Sequence, residues 1–122
     1  MREKGGGSVL AVAAIAAIMV VTLAVVAATQ IVTARARAVA AADAAALAAA
    51  VNTFPPAADR PSPRLAAFEI AVANGAALVG CHCPVDGNLR ARSVQVDVEV
   101  ALEVLMLGPM RIGASSRAEY IP

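Results

Sequence analysis

Thirty consecutive residues without a charge, Gly5 to Ala34, constrain this chain more than any other feature in it. Arg2, Glu3 and Lys4 precede the run, and Arg35 and Arg37 follow it. Its apolar centre is Val9 to Val32, 24 residues. As a helix rising about 1.5 Å per residue it would reach about 36 Å, more than the ~30 Å hydrocarbon thickness of a bilayer. A chain of 122 residues cannot surround such a rod on all sides. The expectation is a single transmembrane helix over residues 9–33. The rival is a cleaved secretory signal, whose apolar region usually spans only about 7–15 residues. Arg2 and Lys4 favour an N-terminus inside, with Arg35 and Arg37 as counterweight. The expected arrangement is a short cytoplasmic tail, a single pass of the cytoplasmic membrane, and a domain outside the cytoplasm.

The span has a pattern of its own. Thr22, Thr29 and Thr33 recur at spacings that return to one helical face. Ala13 and Ala17, and Ala24 and Ala28, are four apart, a spacing that lets helices approach closely. Either the threonines hydrogen-bond across a helix–helix contact, or each bonds its own backbone. Beyond the span, residues 34–51 are mostly alanine, the best helix former, and contain no breaker. One helix is therefore expected from about Ser8 to Val51. Asp43 follows Val39 by four and precedes Leu47 by four. It is either a carboxylate that meets a partner or a solvated residue at the edge of that stripe.

Residues 53–63 hold four prolines, Pro55, Pro56, Pro61 and Pro63, and read as a loop. In Arg64–Asn74, Leu65, Phe68 and Val72 recur at three and four, which predicts a short amphipathic helix stopped by Asn74-Gly75. Ala77–Val85 reads as a strand closed by Asp86-Gly87-Asn88. Val94, Val96, Val98, Val100, Leu102 and Val104 alternate with Gln95, Asp97, Glu99, Ala101 and Glu103, a half-buried strand with an acidic outer face. After the Gly108-Pro109 turn, Met110–Tyr120 returns with Ile112, Ala114, Ala118 and Tyr120 on one side. Arg111 and Arg117 then face the acidic row. The predicted class is α+β: a long N-terminal helix, a short second helix and a small antiparallel sheet of about three strands, covered by the helices.

Chemistry is sparse. Cys81-His82-Cys83 offers three metal-ligand types in a row, but on a strand the cysteines face one side and the histidine the other. No further His or Cys exists to complete a tetrahedral site. In an extended strand Cys81 and Cys83 would be about 6.5–7 Å apart at Cα, beyond comfortable disulfide reach unless the chain bends. The readings are a pair of small buried hydrophobes sharing a face with Val79 and Val85, an intermolecular bridge, or a bent local disulfide. No paired carboxylates, nucleophile–base pair or phosphate loop is visible, so neither an enzyme nor a cofactor is expected. A net charge of +1, with only Phe54, Phe68 and Tyr120 as aromatics, argues against nucleic acid as a partner. No small-molecule substrate is implied.

The Gly7-Ser8 junction, the apolar helix, the run RARAVAAADAAALAAA from Arg35, the segment AFEIAVANGAALVGC from Ala67 and the Gly108-Pro109 turn together resemble the TadE-like pilin-related proteins of actinobacteria. These are also described as helicase/secretion neighbourhood TadE-like proteins. The resemblance implies a pilin-like fold and a non-catalytic minor pseudopilin or assembly component of a Tad-type pilus or secretion apparatus. Its partners would be the membrane and other pilin-like or Tad assembly proteins. It also implies prepilin-type processing between Gly7 and Ser8. Two positions depart from the family pattern: Val12 stands where pilin-like proteins carry Glu, and Arg64 where relatives carry a partner cysteine for Cys81. The alternative is an anchored or secreted binding module of the cell envelope. The expected organisation is a tail or leader (1–8), the span (9–33), an Ala-rich extension (34–52), a Pro-rich loop (53–63) and an extracytoplasmic α+β domain (64–122).

Overall fold

The computed structural model describes residues 5–54 and 60–122. Arg2, Glu3, Lys4, Pro55 and Pro56, all invoked above, lie outside the described residues. Helix α1 runs unbroken over Gly6–Val51, 46 residues and about 69 Å. Its last carbonyls are satisfied locally. The Asn52 amide N–H donates to Ala49 O, its side chain donates to Ala48 O at 2.8 Å, and the buried Thr53 hydroxyl donates to Ala50 O at 2.7 Å. Helix α2 spans Pro63–Ala73. Ser62 Oγ caps it by accepting from Leu65 N at 3.2 Å, and Pro63 takes the first helical position, where its missing N–H costs nothing. It ends as the sequence predicts: Gly75 adopts φ +73° and Ala76 N donates back to Ala71 O, a Schellman closure.

The sheet is an antiparallel meander in the order β1 (Ala77–His82), β2 (Arg92–Val104), β3 (Gly108–Tyr120). The register sets Val94 opposite Ala118, Val98 opposite Ala114 and Val100 opposite Ile112, so one face is largely apolar, with Ser116 opposite Val96 as its polar member. Arg111 approaches Glu99 at 3.8 Å, a solvent-exposed pair worth little energy. Arg117 instead lies opposite Gln95, and Asp97 accepts from the Ser115 hydroxyl.

The apolar face of the sheet packs on the distal half of α1, and α2 packs against both α1 and β1. On α1 the buried surface is entirely alanine: 34, 38, 41, 42, 45, 46, 49 and 50. It meets Val94, Val96, Val98 and Val100. The predicted pairing of sheet and helical covers is therefore present, and the core is built from the smallest apolar side chains. Helix α2 overturns the expected polarity of its stripe. Pro63, Ala66, Ala67 and Ala71 are buried, whereas Leu65, Phe68 and Val72 are about half exposed. Alanine wins the inner face because only a Cβ fits where two helices and a sheet approach this closely.

Strand β1 also departs from the expected alternation. Leu78 pairs with Val98, but Gly80 pairs with Asp97 and Cys81 with Val96, so Val79 is an extra residue in a bulge. A Cβ at Gly80 would sit 3.1 Å from Asp97 Oδ2, and glycine admits that approach. The bulge moves Leu78 and Cys81 to the same side and leaves Val79 exposed. The strand ends at His82, short of Val85, which is also exposed. Cys81 and Cys83 therefore do not share a buried face with Val79 and Val85. The chain bends, their Cα atoms close to 5.4 Å, and the two are joined by a disulfide.

Arg92, at the start of β2, ties three segments together. Its guanidinium donates to Thr53 O at 2.8 Å just past α1, and to Asp86 O and Asn88 O in the β1–β2 loop. It also stands 5.9 Å from the centre of the Phe54 ring. In that loop Asn88 N donates to Asp86 Oδ1 at 3.1 Å. This bond, then the Asn88 side chain and the nearby Arg92 and Arg90 charges, holds the Asp86 carboxyl below its ordinary range.

The β2–β3 hairpin turns through Leu105, Met106 and Leu107, with Leu107 N donating to Val104 O at 3.1 Å. Met106 has φ +70°, a conformation that turns normally assign to Gly or Asn.

Three outcomes check this fold. Ala42→Leu, at a position with no exposed surface, should lower unfolding free energy by about 1–3 kcal/mol through overpacking, while Phe68→Ala should cost well under that in chemical denaturation. Arg92→Ala should cost about 1.5–3 kcal/mol, because two loop carbonyls and the end of α1 lose a charged donor together. Denatured protein handled without reductant should resist alkylation at Cys81 and Cys83. Opening so small a ring should cost only about 1.5 kcal/mol by loop entropy.

Candidate functional site

The surface that most needs explaining is the proximal half of α1. From Gly6 to Val26 every residue is exposed, including Val9, Leu10, Ile15, Ile18, Met19 and Val20. The most apolar 18-residue window has a mean hydropathy of 3.0, and none of it is buried by the other described residues. By length and composition the helix is able to cross a membrane. Its own sheet covers only the distal half.

The candidate positions read from the sequence fall along this rod and do not converge. Gly7 and Ser8 lie in the first turn, where the Ser8 hydroxyl donates to Gly5 O at 3.3 Å. Thr22 donates to Ile18 O and Thr29 to Val25 O, each at 2.8 Å, so both hydroxyls are satisfied within their own helix. Thr33 lines a cleft of about 480 Å³ between α1 and β2, with Val26, Gln30, Arg37 and Leu102 among its other walls. Asp43 is exposed and accepts from the Ser116 hydroxyl of β3 at 2.5 Å, so its partner lies within the chain. Gly7 and Asp43 are 36 residues apart on one helix, about 54 Å. Cys81 and Cys83 are remote from both, at the end of β1, and His82 is exposed. Among the described residues, this arrangement offers surfaces for contact and assembles no group of side chains around a reacting centre.

The distal domain adds a second set of outward apolar residues. Leu47 is 63% exposed and Phe68 49%, with Val39, Val51, Leu65 and Val72 similarly uncovered. In the distal half of α1 and in α2 the buried positions are nearly all alanine, and most of the larger side chains face out. Periodicity alone misassigns these faces, since it locates a stripe without saying whether the stripe or its complement meets the core.

Two features escape the sequence reading altogether. Gln30 lies within the apolar run, yet its Oε1 accepts from Leu105 N at 3.1 Å, linking α1 to the hairpin tip. The tip itself, Leu105-Met106-Leu107, is three large apolar residues in a turn, where polar residues and glycine prevail. That composition was the available signal.

Residues 5–52 match the family model described as "Putative Flp pilus-assembly TadE/G-like". No curated protein and no solved structure matches the chain. The matched segment coincides with α1 to within one residue at either end, so the likeness to Flp pilus-assembly proteins of the TadE/G type resides in the long helix.

Proposed function

We propose that this chain is a membrane-anchored, non-catalytic pseudopilin-like component of a Tad-type pilus or secretion apparatus. One observation carries the reading: the segment that matches the pilus-assembly family is the helix whose proximal half has no cover among the described residues. Water does not tolerate an apolar rod of this length uncovered. Lipid around residues 9–33, or the helices of neighbouring subunits, supplies the cover.

In this reading the short N-terminal flank lies inside and the α+β domain outside the cytoplasm. The outward Leu47, Val51, Phe68 and Val72 supply the distal contacts with other assembly proteins. Ala13 and Ala17, and Ala24 and Ala28, admit close helix neighbours, with Thr22, Thr29 and Thr33 alongside. Processing after Gly7 would leave Ser8 first, with Val12 in place of the usual glutamate. Such a component acts by occupying a place in an assembly. The geometry supports this, because most of the larger side chains on its two helices point away from the core.

Fractionation tests the anchor. The chain should sediment with membranes, resist extraction by high salt and require detergent for release. N-terminal sequencing of the mature chain then separates the variants: a start at Ser8 supports pilin-type processing, an intact Met1 a plain anchor, and a start beyond about Ala34 a secreted protein, which defeats the proposal. Phe68→Asp and Leu47→Asp should leave folding within about 1 kcal/mol. They should reduce co-purification with the pilus-assembly proteins of the same cells.

A further inference from the structure

Among the described residues, the β2–β3 hairpin presents the most exposed large apolar side chain of the distal domain. Met106 is 81% exposed and Leu107 65%, and Leu105 beside them is 46%. From Val104 to Met110 there is no charge, and Glu103 and Arg111 bracket the tip. The hairpin extends along α1 toward its apolar half, and Leu105 N bonds to Gln30.

Gln30 fixes the level of the tip. It precedes Arg35, the first charge after the apolar run, by five residues, or about 7.5 Å along the axis. Amphipathic helices that lie in a membrane interface bury their apolar faces about 5–10 Å into the headgroup and acyl boundary, which sets the scale for the interfacial layer. The backbone supplies a second observation. Met106 holds φ +70°, where a water-facing turn would carry Gly or Asn, so a bulky apolar side chain is kept at a position that disfavours it.

Taking α1 as a membrane span, as above, we propose that the hairpin tip Leu105-Met106-Leu107 is a second membrane contact that inserts into the outer interface beside α1. Glu103 and Arg111 would then mark the headgroup level. The partner is the lipid surface itself. The run is continuous in level with the apolar helix, and its length is one turn, too short to span and suited to the interface.

The chain contains no tryptophan, so single-tryptophan variants of the full chain report depth directly. Met106→Trp and Leu107→Trp would be placed in phosphatidylcholine/phosphatidylglycerol vesicles whose acyl chains are brominated near the headgroup or near the bilayer centre. Val21→Trp reports the middle of the span, and Arg117→Trp the outer face of the sheet. Leu107→Trp avoids the positive-φ position, and circular dichroism with thermal melting checks that each variant matches the parent fold. The expected result is blue-shifted emission at 106 and 107, quenched more by the shallow bromines than by the deep ones. Val21→Trp should be quenched most by the deep bromines and Arg117→Trp by neither. If 106 and 107 behave like 117 while 21 is quenched, the tip lies in water and this inference fails with the anchor intact. Blue-shifted but unquenched emission at the tip, with 21 quenched, would mean a protein cover and also defeats it. If 21 escapes quenching, the membrane reading itself falls, and the inference with it.

Discussion

The alanine face of α1 from Ala34 to Ala50 is the contact on which the distal domain depends. A sheet of three strands has one apolar face and no second sheet to meet it. An 11-residue helix cannot cover that face alone. The long helix provides the platform, and alanine makes it usable, since methyl groups at eight buried positions let the valines of β2 and the alanines of α2 approach its backbone closely. Such a core gains from close packing more than from bulk. Its largest fully buried side chains are Val94, Val96, Val98, Val104 and Thr53.

A core made of small residues leaves the larger ones elsewhere. Leu47, Val51, Leu65, Phe68 and Val72 sit on the outer helix surfaces, and Leu105, Met106 and Leu107 at the end of the sheet. In a protein that stays alone in water, these residues would exchange places with the alanines, because each buried large side chain adds roughly 1.5–3 kcal/mol. The opposite distribution fits a chain whose final environment includes lipid and other subunits. Together with the bare proximal helix, it is what the proposed role in an assembly would use.

Much of this architecture was legible because two periods are unusually clean. The alternating Val94–Val104 strand, its return to Tyr120 and the unbroken helical composition to Val51 each follow from one local rule. Asn74-Gly75 closes α2 as glycine's freedom requires. What was not legible depends on tertiary competition. Leu65, Phe68 and Val72 form the stripe that helical spacing predicts, but the tight junction of α1, α2 and β1 takes Pro63, Ala66, Ala67 and Ala71 instead, with Ile70 at its edge. The bulge at Val79 shifts the parity of β1, and with it the placement of Cys81, because Gly80 tolerates a close Asp97. Arg92 carries no sequence sign of its role, since Thr53, Asp86 and Asn88 converge on it only once the loop folds back.

One unbroken helix serving both as apolar rod and as domain platform has a mechanical consequence. No glycine or proline interrupts α1 between Ser8 and Val51, so neither of the usual sources of a kink is present. The rotation of the proximal half about its axis therefore fixes which way the sheet and α2 face. A loop between anchor and domain would let each find its own partners. Here the outward faces of both halves must be satisfied in a single orientation, and the Gln30–Leu105 bond adds a second tie below the platform. A subunit that fits neighbours along its whole length, as proposed above, would benefit from that rigidity. In the proposed membrane arrangement, the same continuity of helix and the Gln30–Leu105 bond would set the level of the hairpin tip relative to Arg35.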